Sequence, residues 1–131
     1  MKILFICKHN RFRSKVAEAI ASKLDTRCKK EYKSAGVQID LMRPYVAESV
    51  KEILNERGFQ IENEQSRQVN EQDLKWADKI VIVANNVSPT IFGNKEVEVW
   101  RIEDADESEK EKIEKIVSKI EKRVNELISE L

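Results

Sequence analysis

The chain has 131 residues, of which 37% are charged, and its 24 basic and 24 acidic side chains cancel to a formal net charge of zero. That length suffices for one domain, residues 1–131, with a buried core. The charge balance excludes a general nucleic-acid binder, which carries a basic excess. The zero sum hides an asymmetry, since residues 1–33 are rich in base and residues 103–114 in acid. High Glu and Lys with only three Gly and two Pro suits a thermophilic source, and suits any well-solvated surface equally. No run reaches the ~20 apolar residues of a membrane span. The first strand is expected from residue 2, which leaves no room for a secretory leader ahead of it. Two cysteines, one placed as a working thiol, fit a reducing cytoplasm better than a disulfide scaffold.

Ile3 to Ile6 is an unbroken apolar run, so Lys2–Ile6 reads as a buried central strand. It ends at Cys7. Val16, Ala17, Ala19, Ile20 and Leu24 recur at helical spacing, which places a helix from Ser14 to Leu24. Glu31–Ala35 is a short second strand stopped by Gly36, which is expected to supply a backbone conformation that other residues avoid. After a loop over Val37–Arg43, Pro44 fits the first turn of a helix with Val46, Val50, Ile53 and Leu54 on its apolar face and Gly58 as its stop. Asn63–Asn70 is loop and Glu71–Trp76 a short helix. Lys79–Ala84 is the second strongly buried strand, followed by turn chemistry at Asn85-Asn86, Ser88-Pro89 and Gly93-Asn94. Val97 and Val99, extending towards Ile102, make an edge-like last strand. From Glu107 to Leu131 the apolar residues line one face of a long helix, without the sustained strict heptad of a coiled coil. Strand–helix alternation predicts an α/β fold: a single-domain, doubly wound four-stranded parallel sheet with helices on both faces. The site is then expected where the first strand turns into the first helix.

That junction, Cys7-Lys8-His9-Asn10-Arg11-Phe12-Arg13-Ser14, has a chemical use. Unpaired N–H groups and the positive end of the dipole make a helix N-terminus an anion site. A curled loop can aim further N–H groups inward. Arg13 adds a planar fork suited to two oxygens of a phosphate-like group. The same field favours a thiolate at a cysteine beside it. One loop can therefore bind a tetrahedral oxyanion and present a sulfur nucleophile to its central atom. A cysteine ending a core strand as mere packing is the plain alternative. Lys8, His9 and Arg11 inside the loop weigh against it.

These eight residues resemble the active-site loop of the low-molecular-weight protein tyrosine phosphatases and of the thioredoxin-coupled arsenate reductases that share their fold. Ser34-Ala35-Gly36, Ser66-Arg67-Gln68, Ala77-Asp78 and Trp100-Arg101-Ile102-Glu103-Asp104-Ala105 resemble the same family in the same order. The resemblance implies Cys7 as nucleophile, Arg13 and the Lys8–Phe12 loop as the phosphate binder, and Asp104 as general acid. It also implies that Asn10 and Ser34 hold the loop's strained turn. Ser14 either caps the helix or donates to the Cys7 thiolate, or does both.

Several positions depart from the family pattern. Ala105 stands where a proline usually follows the acid, which leaves Asp106 as a rival, and the acids at 103–107 could simply be a solvated helix start. Glu64 stands where a histidine often supports the loop, and Phe12 where a second cysteine often lies. Cys28 has no evident reason to approach Cys7 and is expected to be a structural thiol. Tyr45, Met42 or Trp100 could wall a substrate pocket or could be packing. The expected function is a cytoplasmic, monomeric phosphatase acting on a phosphorylated protein or a small phosphate ester. It would need neither metal nor cofactor and would bind no nucleic acid or membrane. An arsenate reductase using an external thiol is the first alternative, and a non-catalytic oxyanion-binding module the second.

Overall fold

The four strands, β1 (Lys2–Cys7), β2 (Glu31–Gly36), β3 (Lys79–Val83) and β4 (Val97–Trp100), pair in the order β2-β1-β3-β4 in a computed structural model that describes residues 1–27 and 30–130. All three pairings are parallel. Parallel neighbours need crossovers: α1 (Arg13–Leu24) lies between β1 and β2, α2 (Glu48–Glu56) and α3 (Glu71–Trp76) between β2 and β3, and a 3-10 turn (Pro89–Phe92) between β3 and β4, while α4 (Lys110–Glu130) follows the last strand. The two strands with unbroken apolar runs are the two inner ones, as burial on both faces requires.

Each face of the sheet closes its own core. Ile3, Phe5, Val81, Val83 and Trp100 pack under α1, α2 and α4. Leu4, Ile6, Ile80 and Ile82 face the other way, towards Ala77, Phe92 and the partly buried Leu74 and Trp76 of α3. The long apolar stripe of α4 buries Ile113, Ile116, Val117, Ile120, Val124 and Leu127 against the first of these cores, so it packs within the domain. No helix among the described residues is long and apolar enough to cross a membrane.

Four expectations are corrected. The second helix begins at Glu48, not at Pro44. The chain around Pro44 is spent on a short antiparallel bridge, with Tyr45 opposite Gln65 and with Pro44 and Val46 exchanging backbone hydrogen bonds with Ser66 and Glu64. The last helix begins at Lys110, because residues 104–109 form the loop leading into it, and Ile102 lies beyond β4 although it is buried. Gly36 does not have a positive φ. A Cβ there would stand 2.8 Å from the Lys8 carbonyl oxygen and 2.9 Å from the Asn10 amide nitrogen, so this glycine is needed for close approach. Cys28 and Leu131 lie outside the described residues.

Candidate active site

Cys7 is the last residue of β1, is 2% exposed, and forms the floor of a cleft of about 410 Å³ at the carboxyl ends of the strands. The loop climbs from it into α1, whose cap residue Phe12 makes no side-chain capping bond. None of the backbone N–H groups of residues 9–13 donates to an acceptor among the described residues. A helix start with its amides unspent, next to a sulfur and a guanidinium, is a site for an oxyanion.

The loop keeps its shape through buried polar contacts. Asn10 is fully buried at φ 55°, a left-handed conformation that asparagine tolerates. Its side-chain amide donates to Ser34 Oγ at 3.1 Å and to Ser14 Oγ at 2.7 Å, while its Oδ1 accepts from the Arg67 amide at 3.0 Å. Ser66 Oγ donates to the Asn10 carbonyl. Ser34 Oγ in turn donates to Glu18, and Arg67 bonds both the Ser34 carbonyl and buried Asp73. Ser14 is not the helix cap: its Oγ lies 2.9 Å from Cys7 Sγ. Glu64, in the place of the supporting histidine, turns away to Lys51, and Glu18 with Arg67 complete the network instead.

Arg13 is 2% exposed and reaches across the cleft to the segment after β4. It donates to the Ile102 carbonyl at 2.9 Å and to Asn86 Oδ1 at 3.2 Å, and it lies 3.7 Å from Asp104 Oδ2. Asp104 lines the cleft with half of its side chain exposed. Asp106 also lines it, but its carboxylate accepts from the Ser108 hydroxyl and amide, which hold its pKa below the usual carboxylate range. The acid loop is tied to the nucleophile loop by Glu107, which accepts from Arg11 at 3.2 Å and from Arg43 at 2.9 Å. His9 Nδ1 donates to the Gln38 carbonyl at 2.6 Å, so that nitrogen carries the proton. The Lys8 carbonyl accepts from Gln38, and Phe12 packs into the core.

Trp100 is 1% exposed and packs on Phe5, so it is core and not pocket wall. Met42 stands outside the cleft, and Tyr45 supports Arg11, whose guanidinium lies 5.8 Å from its ring centre. The sequence pattern missed Lys15, Glu18, Arg43, Asp73, Asn86 and Glu107. Lys15 is 2% exposed, with Nζ bonded to the Asn63 carbonyl at 2.7 Å. Burial lowers its pKa, and Glu18 opposes that shift.

Comparison with known proteins follows the same lines. The family described as low molecular weight phosphotyrosine protein phosphatase matches residues 2–131. An arsenate reductase from Archaeoglobus fulgidus is 32% identical, with a TM-score of 0.78, over 97% of this chain and 98% of that one. A thioredoxin-dependent arsenate reductase from Corynebacterium glutamicum is 28% identical at TM-score 0.79, over 98% of this chain but only 60% of its own length. A low molecular weight protein tyrosine phosphatase from T. tengcongensis shares the fold at TM-score 0.87 and 24% identity, over 100% of this chain and 99% of that one.

Proposed function

The chain belongs to the low molecular weight phosphotyrosine protein phosphatase family, and from that premise we propose that it is a cysteine-dependent phosphatase acting on phosphate monoesters, phosphotyrosine or aryl phosphates first among them. The Cys7 thiolate attacks phosphorus. The S–P bond forms as the bond to the leaving oxygen breaks, and Asp104 gives that oxygen its proton. Arg13 and the free amides of the loop hold the three equatorial oxygens, over which the charge of the transferring group is spread in the transition state. Water then attacks phosphorus, Asp104 takes its proton, and the S–P bond breaks to return the thiolate, which Ser14 stabilises. The observation that carries this reading is the 3.7 Å approach of Arg13 to Asp104 over a cleft floored by Cys7. It supports reading Cys7 as nucleophile, Arg13 as oxyanion binder and Asp104 as acid. The substrate is a phosphorylated protein or small phosphate ester, and the enzyme acts as a monomer in the cytoplasm.

The likeness to the Archaeoglobus reductase supports a second reading, arsenate reduction with an external thiol. There Cys7 displaces water from arsenate to form an S–As bond. An external thiolate attacks the Cys7 sulfur, forming a mixed disulfide, and arsenic leaves as arsenite with the electron pair. A second thiol then releases Cys7. Thiol accounting separates the two. A phosphatase releases many phosphates per enzyme with reductant only at a protective level, whereas a reductase consumes two thiols per arsenite and leaves aryl phosphate intact.

A further inference from the structure

Lys15 is buried to 2% exposure, and its Nζ has one hydrogen-bond partner among the described residues, the Asn63 carbonyl at 2.7 Å. No carboxylate among those residues stands within ion-pair distance of it. Taking an ammonium out of water on such terms is unfavourable. An apolar side chain of similar length would fill the place more stably, so stability does not account for the lysine.

The bond to Asn63 leads back to the active site. Asn63 Oδ1 accepts from the Gln65 amide at 3.0 Å, Ser66 Oγ donates to the Asn10 carbonyl at 3.1 Å, and the Arg67 amide donates to Asn10 Oδ1 at 3.0 Å. Asn10 then donates to Ser14 Oγ at 2.7 Å, and Ser14 precedes Lys15 on α1. These contacts close a ring, from Lys15 through residues 63–67 to Asn10 and back to Ser14. Backbone bonds tie the same segment elsewhere: the Glu64 carbonyl accepts from Val46, the Ser66 amide donates to Pro44, and the Arg67 carbonyl accepts from Gly36. The Glu64 side chain turns away to Lys51. Lys15 ties the segment to α1, the helix that begins with Arg13 and Ser14. We propose that Lys15 is a positioning residue for the oxyanion loop: its ammonium holds the Asn63 carbonyl and so keeps Ser66 and Arg67 where they hold Asn10 in its left-handed turn. A backbone in that region persists only when its surroundings fix it, and a charge-assisted bond is the stronger tether. The inference rests on the oxyanion reading of the loop and holds for phosphate and arsenate alike.

The test measures inorganic phosphate affinity by calorimetric titration, and stability by urea unfolding at neutral pH, in the wild type, Lys15→Met, Lys15→Arg, Ser66→Ala and Lys15→Met/Ser66→Ala. Lys15→Met is expected to bind phosphate about tenfold more weakly while being at least as stable as the wild type. Lys15→Arg keeps a charged donor and is expected to recover most of that affinity. Ser66→Ala is expected to weaken binding as well, and the double variant to lose no more than the larger single loss, because both residues act through one segment. Wild-type affinity in Lys15→Met overturns the inference. So does a double variant whose two losses add, or a Lys15→Met whose weaker binding comes with a matching loss of stability. A wild type that binds no phosphate overturns the oxyanion reading itself, and the inference falls with it.

Discussion

Ser14 Oγ lies 2.9 Å from Cys7 Sγ and at the same time accepts the Asn10 side-chain N–H at 2.7 Å. A thiolate can only accept, so towards it the serine hydroxyl is the donor. The Asn10 bond fixes that hydroxyl's orientation. Hydrogen bonds to charged groups contribute roughly 1.5–3 kcal/mol. In Ser14→Ala the departure of sulfur from the phosphocysteine loses that help, and kcat is expected to fall about ten- to hundredfold. Rapid-quench kinetics should then show an initial burst of aryl alcohol followed by a slow steady state. A variant with unchanged kcat contradicts the role.

Gly36 is a packing requirement of the loop. Because a Cβ there would meet backbone atoms of Lys8, His9 and Asn10 at 2.8 to 2.9 Å, and backbone cannot rotate aside, Gly36→Ala must push the loop from its place. A stability loss of about 1–3 kcal/mol is expected from overpacking. The fall in oxyanion affinity should exceed what the stability loss explains, because the amides lose their common focus. Phosphate titration and urea unfolding of the same protein measure both.

Asp104 and Asp106 are separated by their partners. The first faces Arg13, while the second is occupied by Ser108. A general acid contributes roughly a hundred- to ten-thousandfold. Asp104→Asn should therefore lower kcat by at least about a hundredfold on a poor leaving group, and by much less on an activated aryl phosphate. Asp106→Asn should change kcat by no more than about threefold, well short of a general acid's contribution. The reverse ranking would assign the acid to Asp106.

Lys15 gives a pH signature. Burial lowers its folded-state pKa below the ordinary value of 10.5, with Glu18 acting against the shift. A lysine so depressed binds fewer protons folded than unfolded. The wild type therefore gains stability as pH rises from the depressed value towards 10.5. Lys15→Met removes the group, so its stability relative to wild type should be highest at neutral pH and should decline across that window. Urea unfolding of both proteins at several pH values measures the difference, and a difference independent of pH contradicts the burial argument.

The first fourteen residues were legible because strand, loop and helix follow one another directly, and the chemistry needs residues that are neighbours in sequence. The supports were not legible. Glu18 and Lys15 sit on α1 as polar side chains that read as a solvated face, yet Ser34 of β2 bonds the first and the Asn63 carbonyl, from the loop after α2, bonds the second. Arg43 and Glu107 meet only because the fold brings the two loops together over 64 positions of chain. Pro44 gave a false helix start because its segment pairs with Gln65 and Ser66, a long-range bond that no local pattern carries.

The central claim is tested most directly by hydrolysis of para-nitrophenyl phosphate in metal-free buffer, with wild type beside Cys7→Ser. Multiple turnovers by the wild type, none by Cys7→Ser, and phosphate binding retained in both are the predicted result. Turnover that survives Cys7→Ser, or a wild type that binds phosphate and never turns over, would contradict it.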